Sequence, residues 1–388
     1  MVKSVKLKKV LKSSIFKFAS TINKIIPKND NKVMLYSANR GIEFNLKPLL
    51  EFMLEKEMYN QYEIICVVEG KKYFDNLDNV KYLTRIKGML QFFRTKYVFY
   101  TAGQIPIKPA KGQTVIHMSH GTCDYKTMGL LTNINNGDEF FFNYMITTGE
   151  YYKPIVAKEY KCSEENVFVC NEPTTDAFYK PLKQKYDLGS YNKVLLWLPT
   201  FRKSDSLNYS DSEEERLLPC FDNEDYEELN EALQRKNYKL IVKLHTAQRL
   251  QNYKFTEFSN LFIYSNDDFV NLGYELYQLL MQVDVLIGDY SSVSLQFLLL
   301  DKPMAYVIPD IESYNKERGF VFDNPEDYMP GYIVKNKEQF YQFLDELSKG
   351  KDTFADKRKK VKEIIHKYDD GKSCERLLAL SGISLTSN

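Results

Sequence analysis

An α/β protein of two units, each organised on a parallel sheet, is what this sequence predicts. Short apolar runs alternate with helical stretches from residue 32 onward, the pattern of right-handed βαβ crossovers. A polar stretch with Pro, Gly and Ser, residues 180–192, interrupts the alternation, which then restarts, as across an interdomain linker. The length of 388 residues suffices for two domains of about 100–200 residues each.

Composition narrows the class. With 44% hydrophobic and 14% aromatic residues, the chain can build real cores and is not a disordered protein. Its net charge of +1 gives no global field for nucleic acid. Six scattered cysteines form no CxxC and no Cys/His cluster, so neither a zinc site nor a disulfide framework is expected, and a reducing cytosol fits. No cofactor or metal is called for, and no apolar run reaches the roughly 18 residues that span a bilayer.

Residues 1–29 stand apart. Residues 1–28 hold eight lysines and no acid. On a helix, Leu7, Leu11, Ile15, Phe18, Ile22, Ile25 and Ile26 share one face at spacings of three and four. A basic amphipathic helix of this kind suits an anionic membrane surface; docking on the protein's own core is the ordinary alternative. Lysines interrupt every apolar run and no small-residue cleavage site follows, which argues against a signal peptide.

The first unit, residues 30–182, reads as strands at Lys32–Ser37, Tyr62–Val68, Val80–Leu83, Tyr97–Tyr100, Thr114–Met118, Met145–Thr148 and Val167–Cys170. Helices fall at residues 46–57, around Ile86–Arg94, and from Glu150. The second unit, residues 188–350, opens with the strand Val194–Leu198. A loop rich in Ser, Asp and Glu (203–216), a helix (224–236), strands Leu240–Leu244 and Leu261–Tyr264, and a helix Tyr274–Met281 follow. Residues 337–349 and 353–381 read as helical, the latter within a C-terminal segment 351–388. There is no internal sequence repeat.

The stretch Asp284–Asp310 condenses the chemistry. A strand at Val285–Ile287 breaks into Gly288-Asp289-Tyr290-Ser291-Ser292, a helical run spans Val293–Leu300, and a strand follows at Met304–Ile308. Ser291 and Ser292 sit at a helix mouth, where free N–H groups, hydroxyls and the helix dipole suit a phosphate. A plain helix cap is the ordinary role of such serines.

Other polar groups follow strand ends, where ligands of parallel sheets bind. Ser119-His120-Gly121-Thr122 comes after Thr114–Met118. His120 there can take a proton from a hydroxyl near neutral pH, with Asp124 or Glu150 as its orienting acid, and Gly121 permits close backbone approach. His117, inside the strand, reads as structural. Lys243 and His245 point to one side of their strand and can act as phosphate donors, or lie at a solvated strand end. Thr200 and Arg202, in Pro199-Thr200-Phe201-Arg202, offer a hydroxyl and a guanidinium fork. Arg318, before Gly319 and near Asp323, can reach a phosphate or pair with Asp310 or Glu317. No P-loop, GxSxG, HExxH or GxGxxG occurs. The expectation is strand ends facing a cleft, a histidine base on one side, and hydroxyls and cations for a nucleotide-linked donor on the other.

In this order the residues resemble the CDP-glycerol glycerophosphotransferases of teichoic-acid and capsule synthesis. The resemblance runs through His120-Gly121-Thr122 with Lys126 and Gly129, Pro199-Thr200-Phe201-Arg202, and Lys243-Leu244-His245. It continues through Asp284–Ser292 with Lys302-Pro303, then Asp310, Tyr314 and Arg318-Gly319, and covers about residues 33–335. It implies a GT-B-like fold of two Rossmann-like domains, peripheral attachment to the cytoplasmic membrane face, and transfer of glycerol phosphate from CDP-glycerol to a lipid-linked acceptor with CMP leaving. By position, His120 would be the base and His245 would stabilise phosphate. Thr200, Arg202, Ser291 and Ser292 would hold the donor's phosphates, and Asp289 would anchor the turn.

The chain departs from the family pattern at Thr246, where KLHP has its proline, at Gly288 for threonine, and at Leu295-Gln296 for Phe-Asp. Asn171–Asp176 stands where GxPRxD is common, so an arginine and a carboxylate are expected to be missing. A different CDP-polyol donor such as ribitol, a GT-B enzyme using a nucleotide sugar, and an inactive membrane-peripheral binding protein are the competing readings.

Overall fold

The structure, a computed structural model, describes residues 5–37, 41–101, 105–119, 121–132, 140–200, 202–204, 209–210, 216–245 and 258–385. For 5–13, 203–204 and 209–210 it describes the backbone only. The chain forms two compact units: Met1–Thr122, Gly137–Asp176 and Asp370–Asn388 make the first, Cys123–Asn136 and Ala177–Asp369 the second.

In the first unit, α1 (Val5–Ile25) precedes β1 (Asn29–Tyr36), α2 (Leu46–Glu55), β2 (Glu63–Val68) and β3 (Val80–Thr84). Then come α3 (Arg85–Phe92), β4 (Thr95–Tyr100), β5 (Thr114–His117), β6 (Tyr144–Thr147), α4 (Lys153–Tyr160) and β7 (Val167–Val169). The sheet is parallel, in the order β3-β2-β1-β4-β5-β6-β7. Both faces are covered, which is why its strands read as near-continuous apolar runs. Val33 and Leu35 enter one core, with Leu49 and Met53 of α2. Met34 and Tyr36 enter the other, with Phe92 of α3 and Ala19 of α1 against it.

The second unit contains β8 (Lys193–Trp197), the two-residue pair β9 (Lys203–Ser204) and β10 (Tyr209–Ser210), α5 (Tyr226–Lys236), β11 (Tyr238–Lys243) and β12 (Leu261–Tyr264). It continues with α6 (Asn266–Asn271), α7 (Leu276–Gln282), β13 (Val285–Gly288), α8 (Ser292–Phe297) and β14 (Met304–Val307). It closes with α9 (Ile311–Glu317), β15 (Tyr332–Val334), α10 (Lys337–Ser348) and α11 (Ala355–Ile365). Its parallel sheet has the order β12-β11-β8-β13-β14-β15. Counted within the unit this is the 3-2-1-4-5-6 order, with its switch point between β8 and β13. Leu195, Trp197, Leu240, Val242, Val285 and Ile287 build the core of one face with α5 and α10.

Several expectations are corrected. The helical stretch 353–381 is two helices: α11 stops at Ile365, His366 is extended, and α12 (Ser373–Ser381) begins beyond Gly371. The polar Lys367–Lys372 segment turns the chain, and α12 buries Cys374, Leu377 and Leu378 in the first unit's core. The C-terminal residues therefore rejoin the first unit instead of following the second as a separate segment. Segment 123–136 likewise leaves the contiguous boundaries 30–182 and belongs to the second unit. Sequence patterning misses α6, α9 and β15, each too short to show a period.

Candidate active site

In the second unit the polar groups gather at the switch point. Thr200 follows β8 and Asp289 follows β13, neighbouring strands paired Leu195 to Val285 through Trp197 to Ile287. The Thr200 backbone N–H donates to Asp289 Oδ2 at 2.8 Å, and its hydroxyl donates to Oδ1. Arg202 Nη1 donates to the same carboxylate and, at 2.6 Å, to the Thr200 carbonyl. Arg202 Nε and Nη2 reach Asp310 at 3.1 and 3.3 Å, and the Tyr290 hydroxyl donates to Asp310 at 3.1 Å. The guanidinium also lies over the Tyr290 and Tyr314 rings. Burial alone would pull the Arg202 pKa down, but Asp289 and Asp310 override it and hold it well above the usual arginine value.

Arg202 is thus buried among two carboxylates and two rings, which fixes the turn that presents Ser291 and Ser292. It braces the loop, an arrangement different from the open phosphate fork that its place in the sequence suggests. Ser291 caps α8, accepting from Val293 N at 3.4 Å, and both serines are partly exposed.

The departures from the family pattern lie inside this frame. A Cβ on Gly288 would come within 2.2 Å of Ser294 Oγ, so the side chain of Ser294 fills the space a threonine would need. Gln296 is buried, and its Oε1 accepts from the Tyr277 hydroxyl at 2.8 Å. Along β11, Leu240 and Val242, then Leu244, enter the core, and alternation sets Lys243 on the other face, over the Phe269 ring at 5.5 Å. Burial lowers the Lys243 pKa. His245 is exposed.

Segment 123–136 joins Arg318 to this unit. Thr127 N donates to the Gly319 carbonyl at 3.0 Å and the Thr127 hydroxyl to the Arg318 carbonyl at 2.8 Å. Val321 N donates to the Tyr125 carbonyl at 2.8 Å, and Lys126 bridges to Phe320. Lys126 and Arg318 therefore stand on adjoining backbone, and both act on the buried Asp124, whose carboxyl burial pushes up and these two cations partly offset. Asp310, one proposed partner of Arg318, is taken by Arg202.

His120 of the first unit and Phe201 of the second lie outside the described residues, but the residues on either side of His120 are described. Ser119 has a φ of 52°, in the left-handed region that a non-glycine residue seldom occupies. Thr122 is fixed by Glu172: its N–H and hydroxyl both donate to Oε1. Gly121, between them, is buried. Asn45 ties this turn to the next, donating to the Met118 carbonyl at 3.2 Å and accepting from Thr174 N and Oγ1 at 3.2 and 3.1 Å.

Asn171–Asp176 therefore lacks the arginine but not its carboxylates. Glu172 holds Thr122, and Asp176 caps α12, accepting from Ser373 N and Cys374 N at 2.8 and 2.9 Å. The sequence reading passed over Glu172 as a partner of Thr122, and its signal was its place in that segment. Of the two acids proposed for His120, Asp124 belongs to the second unit, and Glu150 is exposed beside Lys153. His117 is structural: Nε2 donates to the Thr101 carbonyl at 2.8 Å and the ring stacks on Tyr100. Among the described residues no cluster of three or more His, Cys, Asp or Glu could hold a metal.

Two parallel sheets, with polar turns gathered at strand carboxyl ends, define an α/β protein of the GT-B type. The chain belongs to the CDP-glycerol:poly(glycerophosphate) glycerophosphotransferase family, matching it over residues 18–380. It is 25% identical to the teichoic acid poly(ribitol-phosphate) polymerase of Bacillus spizizenii, over 95% of this chain but only 59% of that protein. It is also 25% identical to the teichoic acid glycerol-phosphate primase of Bacillus subtilis, over 96% of this chain and 98% of the relative. In structure it resembles a histidine-to-alanine variant of the wall teichoic acid polymerase TagF, with a TM-score of 0.74, 18% identity, and coverage of 96% of this chain and 92% of the other.

Proposed function

We propose that this chain transfers a polyol phosphate, glycerol phosphate in the first instance, from a CDP-polyol to a hydroxyl of a lipid-linked acceptor in the synthesis of teichoic acid or a capsular polymer. The observation that carries this reading is the Thr200–Asp289 link across the switch point of the second sheet, which sets the Ser291-Ser292 turn at the strand ends where nucleotides bind parallel sheets.

In this reading His120 takes the proton of the acceptor hydroxyl. The freed oxygen bonds to the phosphorus that carries the polyol, the bond from that phosphorus to the bridging oxygen breaks, and CMP leaves. Such transfer relies on positioning and charge stabilisation. Ser291, Ser292, Lys243, His245 and Arg318 supply donors to the phosphates, with Lys126 and Thr122 supporting. Thr200, Arg202 and Asp289 serve the donor by holding its loop. Work takes place peripherally at the cytoplasmic membrane face, with α1 as a contact; no helix among the described residues is long and apolar enough to cross a membrane.

Relatives of this chain are named for both glycerol phosphate and ribitol phosphate. Purified protein is therefore to be incubated with CDP-glycerol, CDP-ribitol and nucleotide sugars, each with lipid-linked acceptors, and the products weighed by mass spectrometry. A mass gain of one or more polyol phosphates with CMP release supports the reading. A gain of a sugar without phosphate, or binding without turnover of any donor, refutes it.

A further inference from the structure

Residues 1–29 and 85–123 together carry fourteen lysines and arginines and not one acid, in a chain whose net charge is +1. The fold brings the helices of these two stretches, α1 and α3, to the same face of the first sheet. Ala19 of α1 packs with Met89, Phe92 and Phe93, from α3 and just beyond it, against the core that also takes Ile105 and Ile107. Ser20 and Asn23 of α1 are buried and bonded to the Lys108 backbone, and Asn23 also donates to Gln113. Lys28 donates to the Phe93 carbonyl.

The helices dock by small and polar positions and leave their apolar stripes outside. Ile86 (80% exposed), Ile25 (78%), Phe18 (68%), Leu90 (66%) and Ile15 (61%) are the five most exposed large apolar side chains among the described residues, and all lie on α1 or α3. On α3 the orientation is forced: a Cβ on Gly88 would meet Val67 Cγ1 at 2.3 Å, so this side presses on the sheet while Ile86 and Leu90, one turn apart, face away. Arg85 and Lys87 flank that stripe. The nearest acid after α1 in sequence, Asp30, is paired with Lys96 at 3.3 Å.

We infer that α3 joins α1 in one membrane-contact surface, which lays Ile86 and Leu90 beside Ile15, Phe18 and Ile25 in the headgroup layer of an anionic bilayer, with the surrounding lysines and arginines on its phosphates. Apolar stripes on two helices whose sequences carry lysines and arginines but no acid match that occupant in both polarity and charge. The inference rests on the peripheral-membrane reading above and extends it to an element whose sequence gave no such sign.

The test is flotation of the full-length protein with vesicles of phosphatidylglycerol and phosphatidylcholine, and of phosphatidylcholine alone. The parent chain should partition onto the anionic vesicles, and Ile86→Ser/Leu90→Ser should lower that partition at least ~10-fold with α1 intact. Arg85→Gln/Lys87→Gln should weaken it less, and only on the anionic vesicles. Circular dichroism melts should stay unchanged, because these positions are exposed. Partition of the Ile86/Leu90 variant equal to the parent's overturns the inference, whatever α1 does. So does a change in its sedimentation alone, which would mark a contact between copies. Ile15→Ser/Phe18→Ser reports on α1 separately and should also lower the partition: if it binds like the parent while the α3 variant does not, the α1 reading fails and the joint surface with it, leaving a contact by α3 alone.

Discussion

Thr122 gives both its backbone N–H and its hydroxyl to one oxygen, Oε1 of Glu172, at 2.5 and 2.9 Å. The two residues are fifty positions apart, on turns that follow β5 and β7, and both are largely or wholly buried. A charged acceptor taking two donors is stronger than a neutral pair. It locks the backbone two residues after His120, next to the left-handed Ser119.

Glu172→Gln should therefore act on the rate more than on binding. We expect kcat to fall about 10- to 100-fold, the scale of a misplaced catalytic group, with KM changed much less. A double-mutant cycle with Thr122→Val should show a coupling of about 0.5–3 kcal/mol. Additive effects would mean that the two residues act independently.

In the proposed mechanism His120 is the general base, a role that contributes about 10²–10⁴-fold, so His120→Ala should abolish measurable CMP release in a folded protein. Release close to the wild-type rate, with an unchanged circular dichroism melt, would remove His120 from the mechanism.

Arg202 offers a stability test. Replacing it by leucine leaves Asp289 and Asp310 buried without their cation, a change that costs about 3–5 kcal/mol. Arg202→Lys should cost less but still lose donors, because one ammonium cannot reproduce the guanidinium fork. Urea denaturation measures both; a leucine variant as stable as the parent would show that the network contributes little.

Gly288→Thr restores the residue common in the family but drives its Cβ onto Ser294. A destabilisation of about 1–3 kcal/mol is expected, and Ser294→Ala in the same chain should recover much of it. Failure of the second substitution to help would locate the strain elsewhere.

His366 sets an acid limit. Burial pulls its pKa down to about 4, and its Nε2 donates to the Leu295 carbonyl of α8 at 2.9 Å. With the folded value below the unfolded one, the unfolded chain binds more protons between about pH 6.5 and 4. The contribution of His366 is thus present above pH 6.5 and declines as pH falls to about 4, by on the order of 3 kcal/mol. Urea midpoints from pH 7.5 to 4.5 should drop less steeply in His366→Gln; parallel curves would rule this histidine out.

The sequence by itself determined the alternation of strands and crossovers, the restart after residue 180, and the strand-end positions of Thr200, Lys243 and Asp289. Those properties are local: apolar runs buried on both faces, and turn residues that break them, leave their mark within a few neighbours. Only the tertiary structure decided that Arg202 faces two carboxylates, that Glu172 holds Thr122, and that α12 returns to the first unit. It also decided that α1 docks by Ser20 and Asn23 with Ile15 and Phe18 outside. Each of these joins groups far apart in the chain or selects one face of a helix. Such choices depend on which buried charges and donors must find partners once the sheets have assembled.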